Sequence, residues 1–187
     1  MPVLLQEPDL YPLDLFEREE LLGAEGQAWW ALYCRPRQEK QLMRRLQPLD
    51  VAFYAPLVPK RTRAKFGRIR TSYVPLFASY VFIYGDAAHR HLAVTTNCVS
   101  RWIAVPDGEG LVRDLREIRR LIELGVPLTA EERLPAGARI RIRSGPFLGF
   151  EGFIIRREGQ TRLLVAVNFL QSGASVVLDQ CEVERIA

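Results

Sequence analysis

The chain has 187 residues, and its 48% hydrophobic and 26% charged content is typical of a globular protein of one or two domains. Its net charge of +4 is unevenly distributed, because residues 1–25 contain seven acids and one base while the rest carries 25 cations and 15 anions. We therefore expect a nucleic acid or an acidic protein surface as the partner of the basic body, and no membrane association.

Other features of the sequence point to a cytoplasmic protein that is not an enzyme. The acidic beginning lacks the pattern of a signal peptide, and no stretch is long and apolar enough to cross a membrane. Cys34, Cys98 and Cys181 are far apart and predict neither a disulfide framework nor a metal site. His89 and His91 are the only histidines, and no catalytic or phosphate-binding motif accompanies them. We expect no cofactor and no metal.

The first 26 residues form an acidic leader. Its three prolines predict an extended beginning, and residues 13–22 have the pattern of one or two helical turns. Two interpretations stay open. The leader is either loosely attached, or it packs on the body or contacts a specific partner.

The next segment predicts a strand, a helix and a second strand. Residues 28–34, AWWALYC, alternate between two faces as a strand does. A helix is predicted from Pro36 to Pro48, with Glu39 in its first turn, where an acid complements the helix dipole. The second strand is predicted over residues 51–59.

A basic arm then leads into an uncharged aromatic stretch. Residues 60–70, KRTRAKFGRIR, contain six cations and no acid, and Gly67 suits the tip of a hairpin. Residues 73–84, YVPLFASYVFIY, predict the central strand of a sheet with a face for a protein partner. The cations that we expect to reach toward phosphate are Lys60, Arg61, Arg63, Lys65, Arg68 and Arg70.

Further elements complete an N-terminal domain over residues 27–125. A helix capped by Asp86 and a strand over residues 99–105 precede the clearest helix, residues 111–124, which has one apolar stripe and ends at Gly125. Residues 126–136 contain two prolines and no periodicity, which predicts an interdomain linker.

Residues 137–187 change to short strands separated by glycines. Five strands at a spacing of roughly ten residues predict a small β-barrel. The predicted strands are Ala138–Arg143, Phe153–Arg157, Leu163–Phe169, Ala174–Leu178 and Glu182–Ile186.

The residues at the beginning of this barrel, ARIRIRSGPFLGFEGFI, resemble a KOW motif of the NusG and ribosomal protein families. Upstream, WWALYCRPRQEKQLMRRL, VPLFASYVFIYG and VTTNCVSRWI resemble the NusG N-terminal domain. The resemblance covers residues 28–187 and implies an α+β fold. It consists of an N-terminal α/β sandwich with a central antiparallel sheet, followed by a small SH3-like β-barrel, the KOW domain. One departure is that Ala78-Ser79 replaces the Pro-Gly usual in the family.

The resemblance implies a transcription elongation factor. In this family the N-terminal domain binds the clamp helices of RNA polymerase over the nucleic acid of the elongation complex. It suppresses pausing, and the KOW domain recruits Rho or a small-subunit ribosomal protein. The polymerase-binding residues implied by position are Phe77 and Tyr80, with Trp30 and Tyr54 as neighbours, and the pair Thr95 and Thr96, as in RfaH-like members. Phe150 matches the exposed aromatic of the KOW partner site, with a core residue of the barrel as the alternative.

The leader and the basic arm favour a specialised monomeric paralogue of the antitermination kind, similar to RfaH and UpxY, with a housekeeping factor as the alternative. An interpretation from another class is an RNA-binding or ribosome-associated KOW protein. That interpretation requires a basic barrel, yet residues 137–187 contain seven arginines against five acids. The sequence therefore favours polymerase binding.

Overall fold

A computed structural model describes residues 7–18, 24–63, 69–179 and 181–186. It shows a mixed helix and strand chain with antiparallel sheets, which confirms the α+β fold class. The chain divides into two compact units, Met1–Gly108 and Glu109–Ala187, called here the N-terminal unit and the C-terminal unit. No helix among the described residues has the length and apolar character needed to span a bilayer.

The N-terminal unit is built on a five-stranded antiparallel sheet with the strand order β1-β3-β6-β2-β7. In chain order its elements are β1 (Leu10–Tyr11), β2 (Ala28–Cys34), α1 (Glu39–Leu46), β3 (Ala52–Tyr54), β4 (Leu57–Arg63), β5 (Ile69–Pro75), β6 (Tyr80–Gly85), α2 (Ala87–Thr95) and β7 (Val99–Ala104).

The core of this unit lies between α1 and one face of the sheet. The apolar stripe of the helix, Leu42, Met43 and Leu46, packs with Leu32 and Ile83 from the central strands. Burying side chains of this size stabilises the fold by roughly 1.5–3 kcal/mol each relative to exposure. The predicted cap of α2 is confirmed, because the backbone N–H of His89 donates to Oδ1 of Asp86 at 2.9 Å.

The described part of the leader, residues 7–18, packs on the body. β1 pairs with β3 at the edge of the sheet, and Leu10, Leu15 and Phe16 are buried. The hydroxyl of Tyr11 donates to Oδ1 of Asp50 at 2.7 Å. Of the two interpretations left open by the sequence, the packed one is therefore confirmed for these residues. Residues 13–17 form hydrogen-bonded turns where one or two helical turns were predicted, and residues 19–23 lie outside the described part.

Two strands predicted as continuous are interrupted in the structure. The segment predicted over residues 51–59 divides at Ala55-Pro56 into β3 and β4. The predicted central strand, residues 73–84, divides into β5 and β6 at a turn in which the N–H of Tyr80 donates to the carbonyl of Phe77 at 3.2 Å. As a result β4 and β5 form a separate two-stranded hairpin, as predicted for the basic arm. Its residues 64–68 lie outside the described part.

The C-terminal unit begins with a long helix and continues with a six-stranded antiparallel sheet in the order β13-β9-β10-β11-β12-β8. Its elements are α3 (Gly108–Glu123), β8 (Thr129–Glu131), β9 (Ile140–Ile142), β10 (Glu151–Arg157), β11 (Gln160–Val167), β12 (Ser172–Val177) and β13 (Val183–Arg185). Within the residues described, the pairing ends at β13 and β8, so the strands do not close into the predicted barrel.

The boundary between the units lies before α3, whereas the sequence predicted it after this helix. Asp114 of α3 accepts hydrogen bonds from the backbone N–H and from Nδ2 of Asn168, at 2.9 and 3.0 Å. The segment predicted as a linker contains β8, which pairs with β12. Glu131 of β8 accepts a hydrogen bond from Ser175 Oγ at 2.6 Å. These contacts explain why the two segments belong to the C-terminal unit.

Candidate functional site

The sheet face opposite α1 is lined by aromatic side chains that lie side by side across the strands. Leu32 and Ile83 point into the core, so their strand neighbours point to the other face. The pairs in register on this aromatic face are Tyr33 with Tyr80, Trp29 with Tyr84, and Tyr54 with Phe82.

The leader covers one half of the aromatic face. The ring of Phe16 stacks on Trp29 with a centroid distance of 6.2 Å and meets Tyr54 edge-on at 5.0 Å. Tyr54 is only 1% exposed as a result. Tyr54, which the resemblance implies as a neighbour of the docking face, is therefore covered by the leader in the folded chain.

The other half of the face remains open. Tyr33 and Tyr80 are half-buried and meet edge-on at 5.3 Å, and the guanidinium of Arg101 lies 4.8 Å from the ring of Tyr33. We call these three residues the tyrosine patch. Tyr80 was predicted as a site residue, whereas Tyr33 and Arg101 were missed. Strand alternation could place Tyr33 opposite the core, but only the register of β2 with β6 and β7 brings the three side chains together.

The turn before Tyr80 is held by a buried carboxylate on α1. Ser79 has φ of 66°, a left-handed conformation that favours glycine. Its N–H donates to Oε1 of Glu39 at 2.8 Å, and its carbonyl accepts from the N–H of Cys34 at 2.7 Å. Phe77, in the same turn, is 6% exposed, so it supports the turn instead of offering a free ring. The departure at Ala78-Ser79 therefore retains a left-handed turn.

Burial raises the pKa of the Cys34 thiol to about 12, and the negative charge of Glu39 acts in the same direction. The thiol therefore stays protonated at neutral pH, as expected of a structural cysteine.

The remaining predicted polymerase contacts lie apart from the tyrosine patch. Trp30 points to the face that carries α1, and its Nε1 donates to the carbonyl of Gly85 at 3.0 Å. At the end of α2, Thr95 is exposed while Thr96 is buried. Their hydroxyls donate to the carbonyls of Leu92 and Ala93 at 2.8 and 2.7 Å. The structure therefore does not gather the predicted residues into one cluster.

The basic hairpin presents its cations to solvent. Arg61 lies opposite Thr71 and Arg63 opposite Ile69, while Lys60 and Arg70 alternate with them along the two strands. All four cations are exposed, and none forms an ion pair with another described residue. Lys65 and Arg68 lie outside the described residues.

Residues 27–133 match the family described as transcription termination factor nusG. The chain belongs to the NusG family. A comparison with curated proteins finds no match. NusG proteins are transcription factors without enzymatic activity and generally bind RNA polymerase, so this NusG-family chain is a transcription-associated factor. The match begins at Gln27 and extends beyond the N-terminal unit through α3 and β8.

In the C-terminal unit of this NusG-family protein, the predicted partner residue Phe150 is buried. It is 3% exposed, lies edge-on to Phe147 at 6.3 Å, and is covered by the guanidinium of Arg120 from α3 at 4.7 Å. Of the two interpretations of Phe150, an exposed aromatic or a core residue, the structure therefore shows the buried one. Phe150 is buried because α3 packs over the turn that carries it. The KOW pattern covers only residues 137–187, so it does not indicate this contact with α3. Leu148, on the same turn, is 60% exposed.

Within the described residues, no group of three or more histidine, cysteine or acidic side chains is arranged to hold a metal ion.

Proposed function

We propose that this NusG-family protein is a transcription elongation factor that binds the clamp helices of RNA polymerase through its N-terminal unit and suppresses pausing or termination. The observation that carries the proposal is the tyrosine patch, an open aromatic surface on the sheet of a domain that matches the family. Tyrosine and arginine are enriched among the residues that dominate protein interfaces, because they combine large contact area with polar groups.

The patch has the chemistry needed to hold a helical protein partner. Tyr33 and Tyr80 offer apolar ring area together with hydroxyl groups, and Arg101 adds a charge that favours an acidic or polar partner surface. The half-buried rings are fixed against each other, so little side-chain entropy is lost when a partner docks. Phe77, which the resemblance implies as a polymerase contact, is buried, and we propose that it contributes by fixing the turn that positions Tyr80.

The hairpin gives this protein a second contact of different chemistry. Lys60, Arg61, Arg63 and Arg70 are exposed and are not neutralised by neighbouring acids among the described residues. Such cations release counterions when they approach phosphate, so their contribution weakens as salt concentration rises. We infer that the hairpin contacts the nucleic acid of the elongation complex while the tyrosine patch contacts protein.

For the C-terminal unit we propose the KOW role, in which its six-stranded antiparallel sheet recruits Rho or a small-subunit ribosomal protein. The KOW-like residues of β9 and β10 support this assignment. Phe150 can contact such a partner only after α3 and Arg120 move aside, whereas Leu148 is accessible on the same turn. The partner surface of the folded chain is therefore centred on Leu148.

We propose a specialised antitermination paralogue, similar to RfaH and UpxY, that acts as a monomer. The packed leader supports this, because it adds an edge strand and an aromatic cap to the N-terminal unit. The exposed Thr95 at the end of α2 fits the second polymerase contact that RfaH-like members make.

The test is co-purification of the full chain with core RNA polymerase, followed by a transcription pausing assay with the purified complex. We expect retention of polymerase and shorter pauses. Retention of ribosomal RNA without polymerase would instead support the RNA-binding alternative. The C-terminal unit argues against that outcome, because many of its arginines are paired with carboxylates.

A further inference from the structure

Three side chains form a second aromatic and cationic cluster, on the face of the N-terminal sheet that carries α1. The indoles of Trp30 and Trp102 meet edge-on with a centroid distance of 5.5 Å and an interplanar angle of 82°. The guanidinium of Arg90, from α2, lies 4.6 Å from the ring of Trp30 and 4.1 Å from that of Trp102. We call these residues the indole–arginine cluster. They take no part in the tyrosine patch.

The local structure explains why Arg90 lies against rings and not against a carboxylate. Asp86 is one helical turn away, but its carboxylate accepts from the N–H of His89 at 2.9 Å and contacts Nδ1 of His89 at 2.7 Å. These two bonds also hold the pKa of Asp86 below its usual value, so the carboxylate stays ionised. It therefore caps α2 instead of pairing with Arg90. Arg90 forms no ion pair with any other residue that the structure describes.

The geometry leaves the polar edge of Arg90 available. A guanidinium carries five N–H donors in its plane, and stacking on rings uses its flat face and not these donors. The two indoles therefore orient a charged fork that can bind a phosphate through two hydrogen bonds. None of the hydrogen bonds found among the described residues uses the Arg90 guanidinium.

Trp102 supplies the aromatic surface beside that fork. It lies on β7, an edge strand of the sheet, and is 45% exposed. Trp30 is different, because its N–H is bonded to Gly85 and its ring packs against the core. An indole left half exposed next to an unpaired guanidinium has the two features that single-stranded nucleic acids require, a ring for stacking and a charge for the backbone.

We propose that the indole–arginine cluster binds one nucleotide of a single-stranded nucleic acid. The base stacks on the exposed part of Trp102, and the adjacent phosphate bonds to the N–H edge of Arg90. The surrounding charge fits this ligand, because residues 26–108 contain 13 lysines and arginines and only four acids. The cluster contains no residue of the hairpin. Binding of a nucleotide to it does not require that the protein bind polymerase.

The test uses the full chain and a short fluorescent oligothymidine, with an abasic oligomer of the same length as the second probe. Both probes carry the same phosphates, but only the first offers bases for stacking. We expect Trp102→Ala to weaken binding of the oligothymidine about tenfold and to leave binding of the abasic oligomer unchanged. Trp102→Phe, which retains an aromatic ring, should restore most of the loss and also shows that the fold tolerates substitution at this position.

The charge is tested with a matched pair of variants. Arg90→Gln should weaken binding of both probes severalfold. Arg101→Gln removes the same charge near the same strand but on the opposite face, and it should have a smaller effect. The proposal is overturned if Trp102→Ala weakens both probes equally or neither, or if Arg101→Gln matches Arg90→Gln. It is also overturned if the cluster prefers an acidic peptide over the oligothymidine, since the surface would then be a protein contact. Co-purification with polymerase tests the proposed function, and oligothymidine binding tests the indole–arginine cluster. Each proposal can therefore fail without the other.

Discussion

The two units use arginine and aromatic side chains in opposite ways. In the described part of the C-terminal unit, six arginines form ion pairs with nearby carboxylates. In the described part of segment 26–108, no lysine or arginine pairs with an acid of that segment, and Arg44 pairs with Glu7 of the leader. The paired arginines of the C-terminal unit are Arg119, Arg120, Arg139, Arg141, Arg143 and Arg157.

Some aromatic residues show the same contrast, although Phe153 and Phe169 of the C-terminal unit are also half-buried. Phe147 and Phe150 are buried within the C-terminal unit, whereas Tyr33, Tyr80 and Trp102 keep part of their surface open in the N-terminal unit. Exposed ion pairs contribute only about 0–1 kcal/mol each to stability, so pairing in the C-terminal unit mainly cancels its positive potential. The comparison indicates that the paired arginines and the rings of Phe147 and Phe150 are satisfied within the C-terminal unit. The unpaired cations and the partly open rings of the N-terminal unit remain available for partners.

The largest effect is expected from Phe150→Ala. Because the ring is buried beneath α3, its removal should lower the stability of the C-terminal unit by about 3–5 kcal/mol. Thermal unfolding followed by circular dichroism measures this loss. Leu148→Ala, on the same turn but exposed, serves as the control and should change stability little. A melting temperature of Phe150→Ala equal to that of the unaltered chain would contradict the comparison, since the ring would then be free for a partner.

The next effect concerns the tyrosine patch. Tyr33→Ala and Tyr80→Ala should each weaken binding to core RNA polymerase by about 2 kcal/mol if the residues are interface anchors. Their half-exposed positions predict a smaller loss of stability than Phe150→Ala causes. Competition binding with labelled polymerase provides the affinity, and circular dichroism checks the fold. Tyr54→Ala is unsuitable for this purpose, because that ring is buried under the leader. Full affinity in both folded variants would exclude the patch as the docking surface.

Much of the fold could be predicted because hydrophobic periodicity reports local structure. The stripes of α1 and α3 and the alternation of β2 depend only on residues close in sequence, and all three elements are present. The strand β8 could not be predicted, because its three residues have no pattern and pair with β12 more than 40 residues away. The packing of the leader was left open for a similar reason. Its buried residues, Leu10, Leu15 and Phe16, do not recur with a helical or strand period.

The candidate site was predicted in part, since resemblance identifies a position but not its surroundings. Tyr80 lies on an open surface as expected. Tyr54 and Phe150 are at their expected positions in the chain, yet Phe16 and Arg120 cover them. Tyr33 and Arg101 were missed because their proximity depends on the register of three strands. Proximity of this kind is long-range in sequence, so no local pattern indicates it.

A smaller effect is expected from removing charge, and it should differ between the unpaired cations of the hairpin and the paired arginines of the C-terminal unit. Changing Lys60, Arg61, Arg63 and Arg70 together to Gln should weaken binding to an elongation complex about tenfold at low salt. The logarithm of the binding constant falls as the logarithm of the salt concentration rises. The slope of this dependence should become shallower by about 0.9 for each phosphate that the hairpin no longer neutralises. The measurement is a titration at several salt concentrations. The matched control changes Arg139, Arg141, Arg143 and Arg157 to Gln, and it should alter neither quantity much. Equal losses in the two quadruple variants would remove the distinction between paired and unpaired arginines.

The smallest effect tests the turn that positions Tyr80 in the N-terminal unit. Ser79 adopts φ of 66°, which costs free energy for a residue with a Cβ atom and none for glycine. Glycine also has greater freedom in the unfolded chain, which offsets part of the gain. We therefore expect Ser79→Gly to increase the free energy of unfolding by about 0.5 kcal/mol. The bond from its N–H to Glu39 involves only the backbone of residue 79, so it should remain.

Chemical denaturation at equilibrium measures this difference, and Ala78→Gly is the matched control. Ala78 precedes Ser79 in the turn but does not have a positive φ, so glycine there adds only unfolded-state freedom and should be destabilising. Opposite signs for the two neighbouring substitutions would confirm the left-handed conformation at residue 79. Destabilisation by both would mean that the serine side chain itself stabilises the turn. In that case the replacement of the Pro-Gly usual in the family would be a local adaptation of the surface around Tyr80, not a tolerated strain.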